Sequence, residues 1–159
     1  MRGDGDGWVI GGDGSRYWGV NGAAGLLVRA PHEEEGRTLI LLQHRAVWSH
    51  QGGTWGLPGG ARDSHESAID TALREAHEEA GIEADDLHVV AALVTHRVDA
   101  WTYTTVIADV DAPVRTVANG ESAELRWVDE ADVDSLPLHP AFGEAWPQLR
   151  ERLAALDPT

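Results

Sequence analysis

Four charged residues crowd one short stretch, Arg74, Glu75, Glu78 and Glu79, with Glu66 two turns upstream. On an α-helix, at 100° per residue, the three glutamates after Arg74 fall within one stripe about 100° wide. That stripe lies away from Ile69, Leu73 and Ala76, so a helix here can bury one side and present three carboxylates on the other. Carboxylates this close repel one another, and the arrangement holds only with a cation nearby: Arg74, or a hard oxygen-seeking metal such as Mg²⁺. Mg²⁺ takes few protein ligands and leaves waters and phosphate oxygens to complete its octahedron, which suits hydrolysis of a phosphoanhydride. A solvated acidic helix face is the alternative reading of the same residues. Arg74, one turn from Glu78, can neutralise or orient the carboxylates, and Glu66 favours the positive end of the helix dipole. Both read as support for a site rather than as direct catalysts. Gly60 and Gly81 read as backbone geometry.

The rest of the composition narrows the chemistry. The chain has 159 residues, room for one domain, with 42% hydrophobic and 25% charged side chains. Twelve basic residues, all Arg, stand against 27 acidic ones, a net charge of −15. Such a field repels phosphate and argues against an electrostatic grip on nucleic acid or anionic membrane. An anionic ligand needs local Arg residues or a bridging metal. There is no cysteine, which excludes disulfides, zinc thiolates and thiol nucleophiles. No apolar run approaches the roughly 20 residues of a membrane span, and the first ten residues do not read as a signal peptide, so a soluble cytoplasmic protein is expected. Abundant Ala and Arg without Lys point to a high-GC bacterial source.

The elements that must position these groups follow from pattern. Residues 1–19, rich in Gly and Asp with Trp8, Tyr17 and Trp18, suit an N-terminal hairpin or an irregular arm ahead of a single domain over 20–159. Strands are predicted at Gly22–Arg29 and Thr38–His44, each buried on two faces and joined by a polar loop. A Trp- and Gly-rich loop leads to a short strand at Thr54–Pro58, ending at a turn Pro58-Gly59-Gly60. The helix is predicted over Ser64–Ala80, with Asp63 and Glu66 spaced as a capping box, Gly81 after the last turn, and an apolar face of Ile69, Ala72, Leu73, Ala76 and Ala80. Strands at Leu87–Arg97, Trp101–Asp109 and Leu125–Val128 and a closing helix at Ala141–Ala155, with Pro147 near its first turns, complete an α/β layered domain. Trp55, Trp127 and Trp146 are expected in the core. His44, His50, His96 and His139 read as polar loop residues without metal-site spacing.

The stretch around the glutamates reads Gly60, five residues, Glu66, seven residues, then Arg74-Glu75-Ala76-His77-Glu78-Glu79-Ala80-Gly81-Ile82. It matches the Nudix box, G-x5-E-x7-R-E-U-x-E-E-x-G-U with U apolar, at every defined position. The segments LLQHRA and TWGLPGG before it and ESAELRWV after it also resemble Nudix counterparts, so the likeness covers roughly residues 20–140. The chain most resembles the MutT-like Nudix proteins of actinobacteria. The resemblance implies an α/β/α sandwich with a mixed sheet and a loop-helix-loop motif. It also implies attack by water on a nucleoside diphosphate linked to another moiety, with Mg²⁺ or Mn²⁺. By position, Glu75, Glu78 and Glu79 resemble the family's metal ligands, and the Gly59 carbonyl a further one. Glu121 matches a loop glutamate that binds metal or acts as base, with Glu124 a rival. The general base is thus Glu75 or a loop residue.

For substrate, Trp48, Trp101 and Tyr103 are candidates for stacking a base, and Arg45 for a phosphate contact. Several subfamily marks are absent: no Pro at His96, no Tyr at Val98–Ala100, no SQPWPFPxS, and no coenzyme A type signature. What remains is a house-cleaning pyrophosphohydrolase of nucleoside di- or triphosphates, 8-oxo-dGTP or a related oxidised nucleotide favoured. The Asn that reads oxidised guanine in MutT-like enzymes is missing near His139–Ala141. The alternatives are a catalytically silent nucleotide or nucleotide-sugar sensor, or a nucleotide-sugar or ADP-ribose type pyrophosphatase. The partner expected is a small nucleotide, with no nucleic acid and no membrane, and the chain a monomer or homodimer.

Overall fold

In chain order the strands are β1 (Trp8–Ile10), β2 (Arg16–Trp18), β3 (Ala23–Pro31), β4 (Thr38–Arg45), β5 (Trp55–Gly56), β6 (Gly59–Ala61), β7 (His88–Val98), β8 (Trp101–Asp109) and β9 (Ser122–Asp129). The helices are α1 (Ala68–Ala80) and α2 (Pro140–Leu156), with 3₁₀ turns at Ala84–Asp86 and Glu130–Ser135. This computed structural model describes residues 3–12, 14, 16–32, 36–45, 53–117 and 122–156. Trp48 and Glu121 therefore lie outside the described residues, as do His50 and most of the Trp- and Gly-rich loop.

The apolar run of β3 becomes the middle of a mixed sheet whose path is β5-β4-β3-β8-β7, with β6 added on β3 and β9 on β4. β3 runs parallel to β8 along Ala23–Arg29, and every residue of β3 except Pro31 is buried, as its weak alternation predicts. Its other edge is shared. Arg29, Ala30 and Pro31 pair with Ile40, Leu39 and Thr38 of β4, whereas Ala23, Ala24 and Gly25 pair with Ala61, Gly60 and Gly59 of β6. The Leu26 N–H, at the changeover, donates to the Pro58 carbonyl at 2.9 Å. The sheet splays there, so Gly25 and Gly59 face each other where β4 has turned away. The sequence reading of Pro58-Gly59-Gly60 as a turn is corrected: two of its residues begin a strand. A Cβ on Gly59 would stand 2.5 Å from the Ala24 carbonyl oxygen, so the missing side chains are what allow this close pairing.

Alternate residues of the sheet feed two cores. Ala24, Leu26, Val28, Leu41, Val106 and Ala108 pack with Ala72, Ala76 and Ala80 of α1. Leu27, Ile40, Leu42 and Ile107 pack with Phe142, Trp146, Leu149 and Leu153 of α2. The result is an α/β/α sandwich, as expected.

α1 begins later than predicted. Ser67 is its N-cap, paired reciprocally with Asp70 in a capping box, and Glu66 turns its carboxylate to Arg74 instead. Half of the expected pairing survives, since the Asp63 N–H donates to Glu66 Oε1 at 3.2 Å. Gly81 closes the helix at φ 70°, its N–H reaching the His77 carbonyl at 3.0 Å, as its position predicts. The buried face is Thr71, Ala72, Ala76, Glu79 and Ala80. Ile69 is 37% exposed, a correction to the predicted face. The three alanines let the helix backbone lie close on β3, and that contact line turns Ile69 toward solvent. In α2, Pro140 takes the first helical position, and Pro147, two turns on, sits in the middle of the helix rather than near its start. The start of the chain forms an antiparallel pair, Trp8 opposite Trp18. Among the described residues no helix is long and apolar enough to cross a membrane.

Candidate active site

The carboxylates of α1 do not share one environment. Glu78 is exposed, with 54% of its side chain open, whereas the Glu75 side chain is 14% exposed and Glu79 is buried at 7%. The expectation of a uniformly outward stripe is thus corrected. The cause is β6: Glu75 and Glu79 lie on the seam between helix and strand, where glycines leave room. Glu79 accepts the Gly59 N–H at 2.9 Å, and a Cβ on Gly60 would stand 2.5 Å from Glu75 Oε1. Gly60 is therefore a cradle for the Glu75 carboxylate.

Arg74 ties this cluster to the loop before the helix. Its guanidinium donates to both Glu66 oxygens, at 2.7 and 2.9 Å, and to Glu75 Oε1 at 2.9 Å. It also reaches Glu78 Oε2 at 3.4 Å and the Ala61 carbonyl at 3.0 Å. The hydrogen bonds from Arg74 pull the Glu66 carboxyl down to about 2 against desolvation, and Glu66 in turn keeps Arg74 charged. Glu66 also accepts the Thr71 hydroxyl at 3.1 Å. Glu66 is thus a fixed anchor, and Arg74 a fork that spaces Glu75 from Glu78.

The loop is braced from the other side by the N-terminal strap. Gly5 donates its N–H to Asp63 Oδ1 at 2.9 Å, and Asp4 accepts both the Ser64 N–H, at 2.7 Å, and the Ser64 hydroxyl. These bonds hold the Asp4 carboxyl below its ordinary range. Sequence reading missed this brace, because partners 58 to 60 residues apart leave no local signal.

Among the described residues, one trio of potential metal ligands has its atoms within 4.8 Å of one another: Asp63, His65 and Glu66. Its carboxylates are engaged, Glu66 by Arg74 and Asp63 by Gly5. The α1 glutamates are engaged as well, Glu75 and Glu78 by Arg74 and Glu79 by the Gly59 N–H. Glu75, Glu78 and Glu79 offer oxygen donors alone, a set whose chemistry suits a hard divalent cation.

The remaining candidates are dispersed. Arg45 ends β4, half-buried. Trp101 is buried at 8%, packed on Tyr17 with ring centroids 4.8 Å apart, and its indole N–H donates to the Trp18 carbonyl at 3.3 Å. Its ring and its N–H both serve the N-terminal hairpin. Glu124 stands opposite His44 on β9, paired with Arg126 at 2.9 Å. His44 and His96 are strand residues rather than loop residues, His44 stacked on Trp55 at 4.5 Å and His96 lying beside the Tyr17–Trp101 pair, 5.8 and 5.9 Å from their ring centroids. Trp55 and Trp146 are buried, and Trp127 packs against the α1 core, as expected. Tyr103, half-buried on β8, extends its hydroxyl to Gly25, where a Cβ would collide with it.

Fold and site together define an α/β/α protein whose acidic helix is docked on a glycine strand. Residues 21–150 match the NUDIX domain model, and the chain belongs to that family; it is a Nudix hydrolase. It is 59% identical over 155 residues, 94% of this chain and 71% of the relative, to a Mycobacterium tuberculosis protein named "Putative 8-oxo-dGTP diphosphatase 3". It is 43% identical over 159 residues to a "Nucleoside triphosphate pyrophosphatase/Nudix hydrolase fusion protein" of Bifidobacterium longum, covering 96% of this chain and 32% of that one. The crystal structure of RenU, a Nudix hydrolase from M. smegmatis, superposes with a TM-score of 0.92 at 56% identity, covering 98% of this chain and 99% of that one.

Proposed function

We propose that the protein is a Mg²⁺-dependent pyrophosphohydrolase of nucleoside di- and triphosphates, with oxidised guanine nucleotides such as 8-oxo-dGTP favoured. The observation that carries this reading is the docking of Glu75 and Glu79 on Gly60 and Gly59, with Glu78 open beside them. The names of the two relatives support the substrate class. Glu75, Glu78 and Glu79, with the Gly59 carbonyl and Glu121, are the residues that would hold the metal. Bound there, Mg²⁺ or Mn²⁺ supplies charge neutralisation for the phosphates and lowers the pKa of water.

The chain's own residues do the rest. Water attacks a phosphorus, the bridging P–O bond breaks, and a nucleoside monophosphate and pyrophosphate (phosphate, from a diphosphate) leave. The attacking water must lose a proton to a positioned carboxylate. Glu75 is the better-held candidate, with one oxygen on Arg74 and the group seated on Gly60. Glu121 is the rival base. Arg45, at the end of β4, is the candidate phosphate contact, and Trp48 a candidate for stacking the base. A free-nucleotide substrate makes the cytoplasm its place of work.

A panel of normal and oxidised nucleotides, assayed for pyrophosphate and phosphate with Mg²⁺ and with excess chelator, tests this. Fastest turnover of 8-oxo-dGTP, abolished by chelator, is the expected result. Tight nucleotide binding with no turnover of any substrate would instead favour the sensor reading.

A further inference from the structure

Tyr103 and Gly25 lie on the α2 side of the sheet, since Leu27 and Ile107, next in alternation on β3 and β8, join the α2 core. Tyr103 pairs with Ala23 rather than with Gly25, yet its side chain leans along the sheet until the hydroxyl occupies the place of a Gly25 Cβ. The same hydroxyl would be 3.0 Å from a Cβ on Gly59, directly across from Gly25. Two facing glycines, each without a side chain, therefore make the slot into which the phenol projects. The slot opens where β3 passes from β4 to β6, and the Gly59 N–H at its edge is held by Glu79.

Among the described residues the Tyr103 hydroxyl has no hydrogen-bond partner. A phenol hydroxyl set at a backbone seam beside the proposed catalytic glutamates has a donor to give. The charged groups that bear on it are Glu79, Arg45 and Glu75. Burial first, and the two carboxylates with it, push the phenol well above its ordinary range, with Arg45 opposing. A neutral donor suits this place: it can bond an anionic oxygen without adding charge to a region where two carboxylates already stand.

We propose that Tyr103 is a substrate-binding residue whose hydroxyl donates a hydrogen bond to the phosphate chain of the nucleotide at the Gly25–Gly59 slot. The proposal rests on the reading of the protein as a nucleotide pyrophosphohydrolase. It replaces base stacking as the role of this residue, because it is the hydroxyl that reaches the glycine seam. Since phosphates are common to all nucleotides, the bond should contribute to affinity without regard to the base.

The test compares the intact protein with Tyr103→Phe, which keeps the ring and removes the donor. Binding of non-hydrolysable triphosphates bridged by methylene between the α and β phosphorus atoms, carrying guanine, 8-oxoguanine, adenine or cytosine, is measured by calorimetry with Mg²⁺ present. The expected loss is about tenfold in affinity, equal for all bases, with an unchanged melting temperature. The phosphorus NMR resonances of the bound analogue should shift as well. Unchanged affinity and unchanged resonances would overturn the proposal, and so would a loss confined to one base. The wild-type arm separates the two readings: if no analogue binds and no nucleotide is hydrolysed, the functional reading itself falls.

Discussion

Glu79 is buried and accepts the Gly59 N–H, so as a proposed metal ligand it would also hold β6 to the helix. Glutamine at this position can still accept that N–H, so Glu79→Gln should keep the fold and lose a charge. We expect kcat to fall by about two to four orders of magnitude for Glu78→Gln and Glu79→Gln, with far-ultraviolet circular dichroism unchanged. Loss of helix signal instead would make the carboxylates structural. The base is resolved by a pair of variants: Glu75→Gln should cost far more in kcat than in substrate affinity, and Glu121→Gln markedly less at saturating Mg²⁺. The reverse ranking moves the base to the loop. Glu66 is different in kind. Its carboxyl sits at about 2 in the folded protein against an ordinary 4.5, so its ion pair contributes stability that is complete above about pH 4.5 and is lost as pH falls toward 2. Because Arg74 is partly open to solvent, the contribution is about 2 kcal/mol rather than the full linkage value. Urea melts of wild type and Glu66→Gln should therefore converge between pH 4.5 and pH 2, and parallel curves would remove Glu66 from that role.

α1 is positioned from both ends and from below: a Ser67–Asp70 box opens it, Gly81 closes it, and three alanines set it on β3. The loop that leads into it is held by an element far away in the chain. Asp4 and Gly5 bond Ser64 and Asp63, and Asp63 stands 3.8 Å from Arg74, so the N-terminal strap reaches the glutamate cluster through two residues. Removing residues 1–7 should lower the melting temperature by several degrees, expose the Ser64 amide to hydrogen exchange, and reduce kcat more than it raises KM. An unchanged exchange rate at Ser64 would show that the strap does not hold the loop. Gly5→Ala offers a smaller version of the same change, because its Cβ would collide with the Arg62 carbonyl.

The whole molecule carries a charge of −15 and must still admit a polyanion. Its long-range field opposes the approach of nucleotide, while binding depends on a few local groups. Screening weakens the former more than the latter, since the Debye length shrinks from about 30 Å at 0.01 M salt to about 10 Å at 0.1 M. At fixed Mg²⁺, kcat/KM should therefore hold steady or rise between 0.01 and 0.1 M monovalent salt. A steep fall over that range, as in proteins that grip phosphate by net positive charge, would contradict this view of how substrate arrives.

The acidic helix, its glycine stop and the family itself were legible in residues 60–82, because helical periodicity and caps are local properties of a chain. The buried strand β3 was legible too, from its unbroken apolar run. Other features depended on neighbours distant in sequence. Gly59 and Gly60 read as a turn, and only the approach of β3 made them a strand. Ile69 read as core, and only the close seat of the alanines on the sheet turned it outward. Glu75, Glu78 and Glu79 share one stripe by spacing alone, but the tertiary packing of α1 on β6 buried one, covered most of another and left the third exposed. Spacing along a helix sets which residues share a face; what covers that face depends on strands brought in from elsewhere in the chain, and for this protein that covering gives its glutamates separate environments.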